Sequence, residues 1–447
     1  MSGLRRGALG LAVLLVTGCS AGIGAAARPT TTPPAVRAST ASPAPAASPS
    51  PSPGRTADPG WNARDALARM SLEDKVGQLF VTVVYGSHAD SASKENRARY
   101  GVATPAEVIG KYRPGGVILF PWAGNVSSAK QVAALTTGLR EASDTPLLIG
   151  VDQENGIVSR LSPLVTKLPG AMAIGATGDP DNARDAARVT GEELKDLGIA
   201  LDFAPVADVN VNPRNPVIGP RAYGADPKRV ATMVGAAVEG FHEAGVASVA
   251  KHFPGHGDTS VDSHTGLPVI KHSMAQWRRL DAPPFKAAIA HGVDAIMSAH
   301  VVMPELDPSG DPATLSRRIL TGLLRDELGF DGVISTDALD MAGVRKKYGD
   351  AEVPVRAVLA GADLLLMPPD LPTAYDSVLK AVRSGRISEK RLDQSVLRIL
   401  TLKQERGMAD PPATDPGALR SPEHLKVAKR VAAAGAVRAR SLPLARS

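Results

Sequence analysis

The segment 251–268 holds the densest set of groups in the chain that can do acid/base chemistry. Three of the nine histidines, His252, His256 and His264, fall within it, and Asp262 lies two residues before the last of them. In an extended loop, residues i and i+2 face the same side, so the Asp262 carboxylate could orient the His264 imidazole and stabilise its protonated form. The pair then reads either as a general acid/base on a movable loop or as a simple cap of that loop.

A metal site is the first alternative that closely spaced histidines raise. Pro254 and Gly255 separate His252 from His256, so the two imidazoles cannot share one helix face as the ligands of a His-Glu-x-x-His zinc site do. The single cysteine, Cys19, excludes a cysteine-rich zinc site and a disulfide framework. We therefore predict that the protein uses neither a metal nor another cofactor.

Polar residues also follow several short apolar runs of the sequence. They are Asp152, Gln153 and Glu154, then Asp208, Asn210 and Arg221, then Lys251 and His252, and finally His300 and Asp337. Any one of them could have a purely structural role, and Asp337, with Asp340 three residues on, could be a helix cap or a reactive group. Charged groups at the ends of five neighbouring strands nevertheless favour an active site.

These groups must be positioned by the alternation of strands and helices between residues 61 and 410. The apolar runs are 76–84, 116–120, 147–152, 201–209, 246–252, 295–300, 332–336 and 363–367, and helical patterns include 131–142, 182–197, 227–244, 318–328 and 353–362. Eight such units predict an α/β protein with a single (β/α)8, TIM-like barrel, whose chemistry lies at the carboxyl ends of the strands. A doubly wound sheet is the alternative, but no Gly-x-Gly-x-x-Gly follows the first run.

The two ends of the chain differ from its middle in composition. Residues 1–18 read as an export signal, with Arg5 and Arg6 before an apolar run too short to span a bilayer. The boundary Val-Thr-Gly-Cys resembles the lipobox of bacterial lipoproteins, which implies that Cys19 is diacylated and holds the protein at the extracytoplasmic face of the cell membrane. An ordinary cleaved signal with an incidental cysteine is the other interpretation.

Residues 19–60 are rich in Ala, Pro, Ser and Thr and predict a disordered tether, because they cannot bury enough apolar surface to fold. Residues 411–447 form a short, basic tail rich in Ala and Arg, with a predicted helix at 422–438 and nothing that looks catalytic.

The overall composition excludes some classes of function. With 43% hydrophobic and 21% charged residues, the chain can bury a sizeable core. Its net charge is +6, but the basic excess lies in the two ends, which leaves 61–410 slightly acidic. We therefore predict no nucleic-acid partner.

Against this background the segment 251–268 closely resembles the Lys-His-Phe-Pro-Gly-His-Gly-Asp-Thr…Asp-Ser-His…Leu-Pro signature of glycoside hydrolase family 3, in its β-N-acetylglucosaminidase (NagZ-like) branch. Residues 152–154 resemble the start of the family's Asp-Gln-Glu-Gly-Gly, and 218–224 resemble its Ile-Gly-x-Arg-Ser-Phe-Gly. Residues 335–339 resemble the nucleophile strand, and 312–316 resemble a further family segment. The resemblance covers about residues 65–410.

The resemblance implies a role for individual residues of this sequence. Asp337 would be the nucleophile, and His264 the acid/base assisted by Asp262. The terminal N-acetylglucosamine would be bound by Asp152, Arg160, Arg221, Lys251 and His252. Two departures affect one edge of the site, since Asn155 replaces the first glycine of Asp-Gln-Glu-Gly-Gly and Ile157 replaces an arginine. We expect sugar contacts or loop shape to differ there.

The implied function is that of a retaining exo-β-N-acetylglucosaminidase. It would remove terminal non-reducing N-acetylglucosamine from peptidoglycan fragments by double displacement through a covalent glycosyl-enzyme. Retaining glycosidases usually use two carboxylates, and a neutral imidazole in place of one would not repel an anionic nucleophile in the second step. A β-N-acetylglucosaminide phosphorylase is therefore one alternative, and a catalytically inactive, sugar-binding surface lipoprotein is another.

Overall fold

The computed structural model describes residues 60–261 and 266–441, with side chains as far as residue 436. Eight short strands, labelled β1–β8 in chain order, form its centre. They are β1 (Phe80–Thr82), β2 (Gly116–Ile118), β3 (Leu148–Val151), β4 (Leu201–Asp202), β5 (Ala247–Phe253), β6 (Ala295–Ser298), β7 (Val333–Ser335) and β8 (Leu365–Leu366). Each of β1 to β6 pairs in parallel with the strand that follows it.

The ring of strands closes on itself. β8 pairs with β1 in the register Phe80 to Leu365, and a parallel bridge joins Ser335, at the end of β7, to Leu364 just before β8. The predicted (β/α)8 barrel is therefore confirmed. All strand residues are buried, because the barrel interior covers one face and the helices cover the other.

Helices connect the strands and surround the barrel. They are α1 (Ala63–Arg69), α2 (Leu72–Gln78), α3 (Lys94–Tyr100), α4 (Pro105–Tyr112), α5 (Ala129–Glu141), α6 (Ala171–Thr177), α7 (Pro180–Asp196), α8 (Pro227–Ala244), α9 (Met274–Leu280), α10 (Ala282–Ala290), α11 (Ala342–Ala360), α12 (Leu371–Arg383), α13 (Glu389–Glu405) and α14 (Pro422–Ser441). A further helix with π-type hydrogen bonding spans Arg318–Glu327.

Local sequence determines where the helices begin. Asp226 caps α8 by accepting from the backbone N–H of Arg229, and Pro227 takes the first helical position, where no N–H is needed. The observed helix covers the whole predicted range 227–244. In α7, Asp179 and Pro180 play the same two roles, so that helix begins two residues before its predicted start.

Most of the strands are shorter than their apolar runs, and two of them are much shorter. The run 76–84 begins inside α2, because Ser71 and Asp74 form a capping box that starts a helix reaching Gln78. The regular pairing of β4 ends at Asp202, and Pro205 has no N–H with which to extend the ladder. An isolated bridge from Val206 to Lys251 and single hydrogen bonds, such as that from the backbone N–H of Val249 to the carbonyl of Ala204, continue the contact with β5.

The predicted helix at 422–438 is present as α14, and it packs against α6 and α7. Val431 on this helix is completely buried. His424 places Nδ1 2.8 Å from Oε1 of Glu193 and Nε2 2.9 Å from Oε2 of Glu192, both on α7. The part of α14 around His424 and Val431 is therefore attached to the barrel.

The predicted export signal, Cys19 and the tether lie outside the described residues. Within 60–261 and 266–441, no helix combines the length and apolar character that a membrane crossing needs.

Candidate active site

The predicted site residues in the described part of the chain converge at the carboxyl end of the barrel. Asp152 follows β3 directly, Asp208 lies after β4, Lys251 and His252 occupy the end of β5, and Asp337 comes two residues after β7. Parallel strands bring their carboxyl ends to one face of a barrel, so these side chains from distant parts of the chain share one opening.

A group of four charged side chains, here called the ionic cradle, forms one wall of this opening. It consists of Asp152, Glu154, Arg221 and Lys251. The Lys251 Nζ lies 2.7 Å from Oδ1 of Asp152 and 2.7 Å from Oε1 of Glu154. Arg221 holds the same Glu154 carboxylate with two hydrogen bonds, of 2.8 and 2.7 Å. The predicted residues Asp152, Arg221 and Lys251 are thus brought together.

Every member of the cradle whose pKa is shifted keeps its charge. Burial by itself lowers the pKa of Lys251, but the carboxylates of Asp152 and Glu154 outweigh it and raise that pKa above its usual value. Burial likewise raises the pKa of Glu154, and the charges of Lys251 and Arg221 overcome it and hold that pKa well below its ordinary range. The cradle therefore offers fixed, charged hydrogen-bonding groups to a polyhydroxylated ligand.

Glu154 is a site residue that sequence reasoning did not assign. It lies in the quoted Asp-Gln-Glu motif, and its side chain is only 4% exposed. Its position at a strand end marked it as a candidate site residue. Its role, however, depends on Arg221, which lies 67 positions further along the chain.

Asp208 organises the histidines of the segment 251–268. Its Oδ2 lies 2.7 Å from Nδ1 of His252, and its Oδ1 accepts from the backbone N–H groups of His252 and His256 at 3.3 and 2.7 Å. Among the described residues, Nε2 of the His252 ring has no hydrogen-bond partner. The buried ring of His256 instead contacts the hydroxyl of Thr259 at 3.0 Å.

Asp337 stands partly buried at the end of β7, where its Oδ1 accepts from the backbone N–H of Ala338 at 2.7 Å. Burial alone raises the pKa of this carboxyl, but His252, His300 and the Ala338 hydrogen bond outweigh it, so the pKa is lowered. Asp337 is therefore ionised at neutral pH, as a carboxylate nucleophile must be.

His300 supports this arrangement and was predicted only as a strand-end residue. Its Nδ1 lies 2.8 Å from the hydroxyl of Thr314, and its Nε2 donates to the carbonyl of Ala338 at 2.9 Å. Thr314 belongs to the segment 312–316 that the sequence singled out. The two contacts fix the ring beside the residue that follows Asp337.

Arg160 lies at the edge of the site and outside the ionic cradle. Its backbone N–H donates to the carbonyl of Asp152 at 3.4 Å, and its guanidinium carbon lies 5.5 Å from the ring centre of Phe120. Within the described residues its buried Nε has no hydrogen-bond partner. Among the predicted sugar-binding residues of the described chain, Arg160 makes no ion pair with the cradle, and His252 pairs instead with Asp208.

The two departures from the family pattern lie in a small hairpin formed by Gln153–Asn155 and Val158–Ser159. Asn155 has φ 67° and Gly156 has φ 59°, and asparagine is one of the few residues that tolerate this left-handed region. Its Nδ2 also donates to the hydroxyl of Thr190 on α7 at 3.0 Å. Asn155 thus preserves the turn, and Ile157 is 72% exposed at its tip.

Asp262 and His264, the predicted acid/base pair, lie outside the described residues. Among the residues that are described, no three His, Cys, Asp or Glu side chains form a group that could hold a metal ion. The absence of a metal requirement stays a prediction.

Comparison with known proteins finds a family match over most of the chain. Residues 71–402 match the glycosyl hydrolase family 3 N terminal domain. The chain is 39% identical over 350 residues to beta-hexosaminidase A of Pseudoalteromonas piscicida, which covers 71% of this chain and 58% of that protein. It is 43% identical over 265 residues to a beta-hexosaminidase of Pseudomonas aeruginosa, which covers 58% of this chain and 76% of that protein.

A solved structure is similar over a longer stretch. A glycoside hydrolase family 3 beta-N-acetylglucosaminidase from Paenibacillus superimposes with a TM-score of 0.77 at 44% identity, covering 82% of this chain and 69% of that one. The chain spans less than two thirds of the length of the Pseudoalteromonas relative.

Proposed function

Because the chain belongs to glycosyl hydrolase family 3, we propose that it is a retaining exo-β-N-acetylglucosaminidase. Its substrates would be saccharides that end in a non-reducing, β-linked N-acetylglucosamine. The names of the relatives and of the Paenibacillus structure support this substrate class.

One observation carries the proposal. Asp337 is an ionised carboxylate at the carboxyl end of β7, and it shares the barrel opening with the ionic cradle. The cradle can hold the hydroxyl groups of a terminal sugar by charge-assisted hydrogen bonds. A sugar held there would present its anomeric carbon to a nucleophile that needs no further deprotonation.

The first step would transfer the sugar to Asp337. An Asp337 carboxylate oxygen forms a bond to the anomeric carbon while the bond from that carbon to the leaving oxygen breaks. The imidazolium of His264, supported by the Asp262 carboxylate, gives its proton to the leaving oxygen. The products are a covalent glycosyl-enzyme, a free alcohol and a neutral His264.

The second step would release the sugar. Neutral His264 takes a proton from water, whose oxygen attacks the anomeric carbon and displaces the Asp337 carboxylate. Each displacement inverts the anomeric centre, so two displacements return it to the β configuration. The roles of Asp262 and His264 in both steps come from the family signature.

The test is the release of N-acetylglucosamine from disaccharides and defined muropeptides, followed by mass spectrometry and by NMR of the first-formed anomer. We expect release of the β anomer. Initial formation of the α anomer would refute the retaining mechanism. Binding of the saccharides without turnover would favour the inactive sugar-binding protein.

Phosphorolysis is separated from hydrolysis in the same reaction. Products formed with and without added phosphate are compared, and we expect free N-acetylglucosamine in both. Formation of N-acetylglucosamine 1-phosphate, with a faster rate in phosphate, would favour the phosphorylase.

We further propose that the protein acts on peptidoglycan fragments while it is anchored through Cys19 at the extracytoplasmic face of the membrane. The lipobox-like boundary and the Pro-rich stretch after it support this location. Two acyl chains hold a protein stably where one does not. Lipid labelling and fractionation of wild type and Cys19→Ala test it, and a wholly soluble, unlabelled wild type would refute the anchor.

A further inference from the structure

One exposed aromatic side chain beside the barrel opening has no role in the mechanism above. Trp122 lies in the short turn Pro121–Ala123 that follows β2, and it is 59% exposed. Within the described residues, five large apolar side chains are exposed, and four of them lie on the loops that leave the carboxyl ends of β2, β3 and β5, namely Trp122, Ile157, Val261 and Val269. Exposed apolar groups that gather in one region indicate a binding surface, whereas scattered ones do not.

Trp122 packs against two other aromatic rings. Its ring stacks on Phe120, with centroids 4.8 Å apart and planes 23° apart, and it contacts Tyr85 with centroids 6.0 Å apart and planes 55° apart. Phe120 itself is buried. Because Phe120 covers one face of the indole, the exposed area of Trp122 belongs to the opposite face and the edges. These three residues, here called the aromatic platform, therefore present a flat apolar surface to solvent.

The backbone that carries the platform is fixed by a buried side chain. Asn125 is completely buried, and its Oδ1 accepts from the backbone N–H of Phe120 at 3.1 Å. Its Nδ2 donates to the carbonyls of Val84 and Gly86 at 2.9 and 3.0 Å. The backbone N–H of Gly86 in turn donates to the carbonyl of Ala123 at 3.0 Å. The loops after β1 and β2 are thus joined, and a surface held in this way needs little ordering when a ligand binds to it.

On one side the platform reaches the ionic cradle. The guanidinium carbon of Arg160 lies 5.5 Å from the ring centre of Phe120. The backbone N–H of Arg160 donates to the carbonyl of Asp152, a member of the cradle. Arg160 therefore lies between the aromatic surface and the charged groups that can hold a terminal sugar.

On the other side the platform approaches the loop that carries the nucleophile. Burial raises the pKa of the Tyr85 phenol, Arg99 opposes this effect, and the carboxylate of Asp340 adds to it. Asp340 lies three residues after Asp337 on the loop that follows β7. The platform therefore borders the opening between the cradle and the nucleophile loop.

Depth separates the platform from the cradle. The side chains of Lys251 and Glu154 are only 3% and 4% exposed, whereas Trp122 is largely exposed. An exo-acting enzyme takes the end of a saccharide into the deepest part of its site, so the next sugar lies nearer to solvent. The exposed face of Trp122 lies at this outer level of the opening.

A sugar ring has the chemistry to match such a surface. The C–H groups on the faces of a pyranose carry a small positive charge, and the face of an aromatic ring is negative, so the two attract while they exclude water. The hydroxyl groups around the rim of the pyranose can stay hydrated at an exposed position, which avoids the cost of burying them without partners. A ligand that reaches both the platform and the cradle is also a saccharide rather than a lipid chain, because the cradle is charged.

We propose that the aromatic platform binds the second sugar of the substrate, the one that departs with the leaving oxygen. Trp122 provides the face on which this sugar stacks, Phe120 supports the indole from behind, and Tyr85 borders it. This inference rests on the proposed function and adds a substrate preference to it. The protein should favour a saccharide leaving group over a small alcohol.

The test compares the binding of two thioglycosides, whose sulfur link resists cleavage. Both carry a terminal β-linked N-acetylglucosamine, which is joined to a second N-acetylglucosamine in one and to a methyl group in the other. Titration calorimetry with the full chain measures both affinities. We expect wild type to bind the thio-disaccharide about 10-fold more tightly than the methyl thioglycoside, and Trp122→Ala to lose most of this difference. Its affinity for the methyl thioglycoside should change by less than about twofold.

Further variants separate stacking from simple apolar contact. Trp122→Phe keeps an aromatic face and should retain most of the preference, whereas Trp122→Leu is apolar without such a face and should lose it. Leu425→Ala is the matched control, because Leu425 is an exposed apolar residue on α14. If Trp122→Ala fails to fold, the comparison of the phenylalanine and leucine variants decides.

Saturation-transfer NMR gives a readout that a purely structural role would not affect. Irradiation of the aromatic protons should transfer to the C–H groups of the second sugar in wild type, and less in Trp122→Leu. Equal affinities of wild type for the two thioglycosides, or an equal loss for both in folded Trp122→Ala, would overturn the inference. Trp122-dependent binding to phosphatidylglycerol vesicles with unchanged saccharide binding would also overturn it, in favour of a membrane contact. A wild type that binds neither thioglycoside and cleaves no N-acetylglucosaminide would instead refute the proposed function.

Discussion

Asp337 owes its charge to a balance between two opposing effects. Burial disfavours the charged carboxylate, whereas His252, His300 and the Ala338 N–H favour it and outweigh the burial. The balance depends on residues from β5, β6 and β7 meeting at one opening. A strand-end aspartate without these neighbours would gain a proton more easily and would be a poorer nucleophile.

We predict that Asp337→Asn lowers the rate of N-acetylglucosaminide cleavage by roughly four orders of magnitude or more, as losses of a nucleophile do. A fluorinated N-acetylglucosaminide should label the wild-type peptide that contains Asp337. Asp331→Asn is the control, because Asp331 is an exposed residue just before the opposite end of β7. Labelling of a different peptide, or near-normal turnover by Asp337→Asn, would contradict the assignment.

His264→Ala should distinguish a catalytic acid from a loop cap. Proton donation matters most for poor leaving groups, so hydrolysis of disaccharides should fall by about 100-fold or more while the bond-breaking step for activated aryl glycosides is largely spared. Asp262→Asn should give a milder form of the same pattern. Pre-steady-state rates across a leaving-group series measure this, and a slope equal to that of wild type would mean that His264 is not the acid.

Asp202 is a buried carboxyl at the end of β4 that the structure keeps protonated. Burial raises its pKa to about 8, and its Oδ2 has no hydrogen-bond partner among the described residues. Because this folded-state pKa lies above the unfolded value, its contribution to stability is complete below about pH 4 and is lost as pH rises towards 8.

Asp202→Asn removes that titration, since an amide does not ionise. We predict that the variant gains stability relative to wild type by roughly 1 kcal/mol per pH unit between pH 5 and pH 8. Urea unfolding of both proteins at several pH values measures the difference. A difference that stays constant over this range would show that Asp202 does not titrate there.

Among the elements, the hairpin after β3 links backbone conformation to the ionic cradle. Its first strand carries Glu154, and its turn requires positive φ at Asn155 and Gly156. The turn therefore decides where one carboxylate of the cradle stands. A residue that cannot adopt this conformation should disturb both the fold and the sugar site.

We predict that Asn155→Gly stays close to wild type, whereas Asn155→Val costs about 1–2 kcal/mol and weakens substrate binding, because β-branched residues resist the left-handed region. Thermal unfolding and KM for an aryl N-acetylglucosaminide test the pair. Equal behaviour of the glycine and valine variants would mean that the positive φ is not what the position requires.

For the whole molecule, α14 shows that the barrel domain continues past its last barrel helix. Glu193 on α7 is buried, and it accepts from the backbone N–H of Arg420 as well as contacting His424. Without the C-terminal segment this carboxylate would lose two partners. The segment thus stabilises the side of the barrel that α6 and α7 cover.

Val431→Asp tests this docking, because it places a charge where the native side chain is completely buried. We predict a loss of about 3 kcal/mol or more in unfolding free energy, or release of α14 to proteases, since an unpaired buried charge is strongly unfavourable. Ala432→Asp, at an exposed neighbour, should be nearly neutral. Equal melting temperatures for the two variants would contradict the observed packing.

Much of the architecture follows from the sequence alone. Alternating apolar runs and capped helical patterns are local, so they predict the eight strands, the bounds of α8 and the presence of α14. The order of strands in a parallel barrel then places Asp152, Lys251, His252 and Asp337 at one opening. Strand ends were less predictable, as at Gln78 and Pro205, because caps and missing N–H groups compete with apolar patterning.

The pairing of charges was decided only by the tertiary structure. No local sequence pattern predicts that Glu154 lies between Lys251 and Arg221 or that Asp208 contacts His252. The same holds for the position of His272 between Asp258 and Asp281. Most of these partners lie dozens of positions apart, and even the nearer ones meet only because the loop after β5 folds back on α9. Whether a buried ionisable group is charged depends on which partners reach it, and the packing of loops and helices around the barrel decides that.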